Sequence, residues 1–160
     1  MAIRKALVIV SGIVQQLPAG DTLQDATLLP LVVQTNGESS ASLVIGAPVY
    51  SSAADTVKRA EANASGTSTV IGLWFDTTTA HGATGNVLIG GILTATTTQW
   101  DAVAGTTGGL AFGATYYLDP ANVGQLTATA PSTVGQFVVS LGVAMSTTEL
   151  KLNIQPPIGL

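Results

Sequence analysis

Gln136-Phe137-Val138-Val139-Ser140-Leu141-Gly142-Val143, followed after a short break by Glu149-Leu150-Lys151-Leu152-Asn153-Ile154-Gln155, decides the fold class of this chain. In the first run Phe137, Val139, Leu141 and Val143 alternate with Gln136, Val138, Ser140 and Gly142. In the second, Leu150, Leu152 and Ile154 alternate with Glu149, Lys151, Asn153 and Gln155. Successive side chains of a strand point to opposite faces, so each run predicts one buried and one wet face. Ser146-Thr147-Thr148 suits the hairpin loop between them. Pro156-Pro157 ends the second strand, because neither residue has an N–H to give to a ladder.

Working upstream, a second hairpin is expected from 114–118 and 125–130. The connection Asp119-Pro120-Ala121-Asn122-Val123-Gly124 is built from residues that turns use. Tyr116 and Leu118 share one face there; Tyr117 and Asp119 share the other. Residues 86–95 read as one strand with Gly90-Gly91 inside it, the mark of a bulge or a close backbone approach. Further strands are expected at 31–35, 42–45, 49–51 and 70–75. The Ala-rich stretch 52–64 has helix propensity, but Ala60, Ala62 and Ala64 alternate with Arg59, Glu61 and Asn63, and we read it as extended. A short helical turn is expected around Trp100. The fold class is therefore all-β, an antiparallel β-barrel or sandwich with an extended N-terminal arm. Residues 1–23 form the arm or first strand. Residues 24–160 form a β-rich body, divisible into two subdomains near 80–86, with under about a fifth of residues helical against a base rate near one third.

Composition narrows the function. The 160 residues include nine acids and five bases; 46% are hydrophobic and 9% charged. An ordinary domain carries about 25% charged residues, and so low a charge keeps a small monomer poorly soluble. The chain is thus expected to sit against other protein, as a homo-oligomer or on an assembly. Cysteine is absent, which excludes disulfides, thiolate nucleophiles and Cys-type metal sites. The net charge is −4, and the bases Arg4, Lys5, Lys58, Arg59 and Lys151 are too dispersed to follow a phosphate backbone. Nucleic acid is not an expected partner. Neither is a membrane, since no run approaches the roughly 20 apolar residues of a spanning helix.

No catalytic, cofactor or metal residues are expected. The one histidine, His81, lies in a Thr/Gly/Ala loop, and the acids are scattered. Gly-x-Ser-x-Gly, phosphate-loop and metal-ligand spacings are missing. Trp74 and Trp100 read as core or subunit-contact residues. The rival from another class makes Trp74, Trp100 and Tyr117 a sugar platform of a carbohydrate-binding or hydrolytic module. No acid pair is placed for glycoside chemistry in that reading.

The N-terminus imitates a secretory signal, with Arg4-Lys5 before Ala6-Leu7-Val8-Ile9-Val10. Ser11-Gly12 interrupts the apolar run and no small-x-small cleavage site follows. We read 6–10 as a β-branched first strand. Free, it would invite strand addition, so Leu7, Val8, Ile9, Val10, Ile13, Val14, Gln15, Gln16 and Leu17 are the candidate partner contacts.

Four segments carry a resemblance. They are Leu7-Val8-Ile9-Val10-Ser11-Gly12-Ile13-Val14-Gln15-Gln16-Leu17-Pro18-Ala19-Gly20-Asp21-Thr22-Leu23, Gly46-Ala47-Pro48-Val49-Tyr50, Gly108-Gly109-Leu110-Ala111-Phe112-Gly113-Ala114-Thr115-Tyr116-Tyr117-Leu118, and Val139-Ser140-Leu141-Gly142-Val143-Ala144-Met145-Ser146-Thr147-Thr148-Glu149-Leu150. Over nearly its whole length the chain resembles tailed-bacteriophage virion proteins, namely head decoration (cement) proteins and head-fibre or tail-fibre proteins. The resemblance implies a non-enzymatic protein, commonly trimeric, on the outer surface of a virion with the major capsid protein as partner. It supplies no catalytic residues. A short head-fibre or tail-fibre component is the alternative within the particle.

Overall fold

The computed structural model describes residues 7–10, 13–16 and 29–160. In chain order the strands are β1 (Leu7–Val10), β2 (Ile13–Gln16), β3 (Leu31–Asn36), β4 (Leu43–Val44), β5 (Pro48–Ala53), β6 (Thr56–Arg59), β7 (Val70–Trp74), β8 (Thr78–Thr79), β9 (Thr84–Leu88) and β10 (Gly91–Thr94). Helix α1 (Thr97–Ala104) follows. After it come β11 (Thr115–Leu118), β12 (Leu126–Thr127), β13 (Phe137–Val138), β14 (Ser140–Ala144), β15 (Glu149–Leu152) and β16 (Ile158–Gly159). The protein is all-β apart from that one eight-residue helix among the described residues.

The first half is a closed barrel in the order β3-β6-β5-β7-β9. β9 runs antiparallel to β3 from Leu31↔Leu88 to Thr35↔Thr84. The other edge of β3 meets β6 in parallel, at Thr35↔Thr56 and Asn36↔Val57, and this pairing closes the ring. Val49, Val57, Leu73 and Val87 are all fully buried. Closure removes the free edges that an open five-strand sheet would present. The stretch 52–64 is not helical: it ends β5, turns, forms β6 and turns again beyond Glu61.

The second half is an antiparallel sheet in the order β10-β15-β14-β11-β12. Its inner face buries Leu93, Leu150, Tyr116, Leu118 and Leu126. Residues 86–95 divide between the two halves: β9 closes the barrel, Gly90-Gly91 carry the chain across, and β10 opens the sheet. Helix α1 lies at the junction. Its Thr96 side chain accepts from Gln99 N–H, and the Gln99 side chain accepts from Thr96 N–H, forming a capping box. The Trp100 indole is fully buried and donates to the Thr148 carbonyl at 3.0 Å. A Cβ placed on Gly46 of the barrel half would lie 2.9 Å from that ring, so only glycine lets the helix sit this close.

The two halves share one core. Ala60 and Ala62 are fully buried. Gly124 N–H donates to Ala60 O (2.7 Å), Ala62 N–H to Asp119 O (3.1 Å) and Phe137 N–H to Ala62 O (2.9 Å). The alanines are small because the backbone of the second half packs against them.

Two further expectations are revised. Val143 does not share the buried face of Val139 and Leu141. β14 pairs with β11 at Tyr116↔Gly142 and then Tyr117↔Ser140, which leaves Leu141 as an extra, bulged residue. A bulge inserts one residue and reverses the alternation beyond it. Gly142 and Ala144 therefore turn inward and Val143 outward. β15 ends at Leu152, before Pro156-Pro157 is reached, and beyond the prolines the chain adds β16, which pairs with β13 at Phe137↔Gly159 and Val138↔Ile158.

At the N-terminus, β1 pairs with β2 in the register Leu7↔Gln16, Val8↔Gln15, Ile9↔Val14 and Val10↔Ile13. The expected first strand is present at Leu7–Val10. The rest of the expected arm, residues 1–6, 11–12 and 17–23, lies outside the described residues.

Candidate functional site

The bulge at Leu141 sets the most distinctive surface of the molecule. On the outer face of the second sheet, Ile92 stands across from Lys151, Lys151 from Val143, and Val143 from Thr115. In the next row Thr94 stands across from Glu149, whose carbonyl accepts from Met145 N–H at 2.8 Å. Ile92, Val143 and Met145 keep 41%, 40% and 45% of their surface exposed. Val143, Met145, Lys151, Leu152 and Asn153 line a shallow depression of about 530 Å³ there. The outer face thus mixes Ile92, Val143 and Met145 with Lys151, Glu149, Thr94 and Thr115. Sheets with one solvated face normally alternate apolar-in with polar-out, and here three apolar side chains interrupt the polar outer face.

Among the described residues no strand pairs with the outer edge of β10 in this sheet. Ala95 N–H donates to Thr148 O at 2.9 Å, which fixes the phase of the β10–β15 ladder. Hydrogen-bonded pairs alternate in an antiparallel ladder, so Ile92 and Thr94 direct their N–H and C=O groups away from β15. No Lys, Pro or bulge guards this edge within β10 (Gly91-Ile92-Leu93-Thr94).

A second surface feature follows α1. Asp101 accepts from Gly109 N–H (2.7 Å), Gly108 N–H (3.0 Å) and Thr106 Oγ (2.9 Å). The Gly109 hydrogen bond, with those of Gly108 and Thr106, holds its carboxyl below the ordinary value of 3.8 against an opposing desolvation cost. The chain then turns at Phe112, which is 81% exposed.

The remaining polar clusters tie loops down. Asp76 accepts from Asn86 N–H (2.8 Å) and from Asn86 Nδ2 (3.1 Å). Buried Asn36 donates to Thr79 O and Ala41 O. Glu38 Oε1 accepts from Arg59 N–H at 2.8 Å and lies 3.3 Å from Arg59 Nε in an ion pair, while Arg59 Nη2 donates to Glu38 Oε2 at 3.4 Å. His81 is exposed in a turn. Among the described residues no three His, Asp or Glu side chains converge to hold a metal ion. No helix among them is long and apolar enough to cross a membrane.

The sugar-platform reading meets a direct obstacle. Trp74 and Trp100 are fully buried, Trp74 donating to Thr79 Oγ at 3.1 Å, so neither indole face is open to a ligand. Of the candidate partner contacts, Leu7, Val8, Ile9 and Val10 lie on β1 and Ile13, Val14, Gln15 and Gln16 on β2. The structure brings these eight together as one hairpin; Leu17 lies outside the described residues. Since β1 is already paired, strand addition to a partner would use an outer edge of this hairpin rather than a lone strand.

Sequence reasoning missed Ile92, Val143, Met145 and Phe112. Phe112-Gly113 carried a usable signal, an aromatic followed by a turn glycine. Val143 carried none, because its outward position depends on a bulge that leaves no compositional trace. Neither the protein-family models nor the curated proteins contain a match to this chain.

Proposed function

We propose that this chain is a non-enzymatic structural protein of a tailed-phage particle, which decorates and stabilises the capsid surface with the major capsid protein as its partner. The observation that carries the reading is the set of exposed apolar side chains Ile92, Val143 and Met145, with Lys151 between the first two, beside an edge of β10 that no described strand pairs. A cement protein draws its affinity from area, edge pairing and repetition over many sites rather than from a reactive group. The low charge of the chain and the sequence resemblance support the same reading, and the resemblance adds a trimeric state. The hairpin β1–β2 is the second proposed contact, through main-chain hydrogen bonds that need no charge.

The test is co-sedimentation of purified protein with capsids that lack it. Ile92→Lys with Val143→Lys should leave the melting temperature within a few degrees of wild type and abolish co-sedimentation. Deleting residues 1–14 should leave a folded body with weakened binding. Full occupancy by the lysine double variant would overturn the attachment surface. Label found on tails instead of heads in micrographs of whole particles would replace decoration with the fibre reading.

A further inference from the structure

Asn36-Gly37 is the one Asn-Gly pair in the chain. Asparagine is a thermolabile residue, and a following glycine makes it most so. The main-chain nitrogen after an asparagine attacks the side-chain carbonyl carbon, and glycine puts no side chain in the way. The other four asparagines, Asn63, Asn86, Asn122 and Asn153, precede Ala64, Val87, Val123 and Ile154, whose side chains hinder the same attack.

The structure requires both members of the pair. Asn36 ends β3 and is fully buried. Its Nδ2 donates to Thr79 O (2.9 Å) and Ala41 O (3.0 Å), and its Oδ1 accepts from Glu38 N–H (3.0 Å). A carboxamide supplies two donors and an acceptor on one planar group, and here it ties β3 to β8 and to the chain that leaves β3. Gly37 passes so close to β6 that a Cβ on it would collide with Thr56 Cγ2.

The contacts that need the pair also stop its chemistry. Ring closure requires Gly37 N to give up its proton and reach Asn36 Cγ. Gly37 N–H instead donates to Val57 O at 2.8 Å, beside the parallel β3–β6 pairing that shuts the barrel. Asn36 N–H donates to Ala83 O (2.9 Å), and its carbonyl accepts from Gly82 N–H (2.8 Å), so neither main chain nor carboxamide is free to rotate. We propose that Asn36-Gly37 is a deamidation site that the closed barrel holds shut: folded copies keep the amide, and chains without the barrel lose it and with it the ability to close.

The reaction needs only the chain and water. Gly37 N bonds to Asn36 Cγ, the Cγ–Nδ2 bond breaks, and ammonia leaves with the proton that Gly37 N gave up. Water then opens the cyclic imide. Cleavage between Gly37 N and Cγ gives aspartate on an unchanged main chain. Cleavage between Gly37 N and the main-chain carbonyl carbon gives isoaspartate, with one extra atom in the main chain. Neither product fits. Aspartate has no N–H for Thr79 O and Ala41 O, and sets a buried charge against those two oxygens. Isoaspartate lengthens the chain where Asn36 faces Val57 and Gly37 N–H meets Val57 O. The change does not reverse, so it removes the unfolded chain from the folding equilibrium.

Full-length protein held in mildly alkaline buffer, with and without guanidinium chloride, tests this by peptide mass mapping and enzymatic methylation of isoaspartate. In denaturant, Asn36 should deamidate ahead of the other four asparagines. The native sample should react at least about a hundredfold more slowly, because a stable domain has a small unfolded fraction. After dilution of the denaturant, the refolded fraction should retain Asn36, and the unrefolded fraction should carry aspartate or isoaspartate there. Asn36→Asp supplies one product without denaturant, and should be recovered unfolded or melt far below wild type. Equal rates in the two samples would show that the barrel does not hold the site shut. Faster reaction at another asparagine in denaturant would remove Asn36-Gly37 as the site. A wild-type melting curve for Asn36→Asp, or equal modification of the refolded and unrefolded fractions, would remove the consequence for closure.

Discussion

Asp101 links acidity to the shape of a loop. Its carboxylate holds Gly108, Gly109 and Thr106, and the turn that presents Phe112 begins immediately afterwards. A carboxyl whose folded value lies below its unfolded one adds stability that is complete above the unfolded value, here 3.8, and is lost as pH falls through the folded value. Asp101→Asn keeps one acceptor and loses the charge. The difference in denaturation midpoint between wild type and this variant should be widest near pH 6 and should shrink steadily below 3.8. A difference independent of pH would mean that the charge does not hold the loop. Nothing in the spacing of Asp101 from Gly108 and Gly109 revealed this; the bonds exist because Gly105 ends the helix in a left-handed conformation, with φ 61°, and the following residues double back on its last turn.

At the scale of elements, β14 is where pattern and structure part. Leu141 is the bulged residue, fully buried, while Val143 two positions on is exposed. Leu141→Ala should cost about 2–5 kcal/mol, the usual range for a buried leucine. Val143→Thr should stay within about 0.5 kcal/mol, as surface changes do. Equal losses in urea denaturation would place both side chains inside and contradict the bulge. Elsewhere period-two reading succeeded where one face met a core: Tyr116 and Leu118, and Leu150 and Leu152, all point inward as their spacing required. The hairpin loops and the helical turn at Trp100 were legible from turn and capping residues. The parallel β3–β6 contact was not, because strand direction in a closed barrel follows from how the ring shuts and not from either strand's composition. For the same reason 86–95 read as one strand: both halves are β-branched and apolar, and nothing local says that they serve different sheets.

For the whole molecule, the shared core decides how it melts. Trp74 belongs to the barrel and Trp100 to the junction, and both are fully buried in one continuous cluster. Far-ultraviolet circular dichroism and tryptophan fluorescence should report one coincident thermal transition. Two separated transitions would show that barrel and sheet fold as independent units. The low charge that suggested contact with other protein was legible from composition alone, but the surface on which that contact falls was not. It needed the three-dimensional neighbours Ile92, Lys151 and Val143, which are brought together from β10, β15 and β14.

The barrel's closure also governs time. Leu31 pairs with Leu88 across all the intervening strands of the barrel, and β3 must hold both β6 and β9 before its ring exists. Distant pairings require loops to close before any contact rewards them, so folding of such topologies runs over milliseconds to seconds. Throughout that interval β-branched strands such as Leu31-Val32-Val33 lie unpaired, with few charges nearby to keep neighbouring chains apart. In a cell making many copies at once, the yield of usable protein is then set by a race between ring closure and encounter with another nascent chain. Slower synthesis or a cooler culture shifts that race toward closure without altering a single native contact.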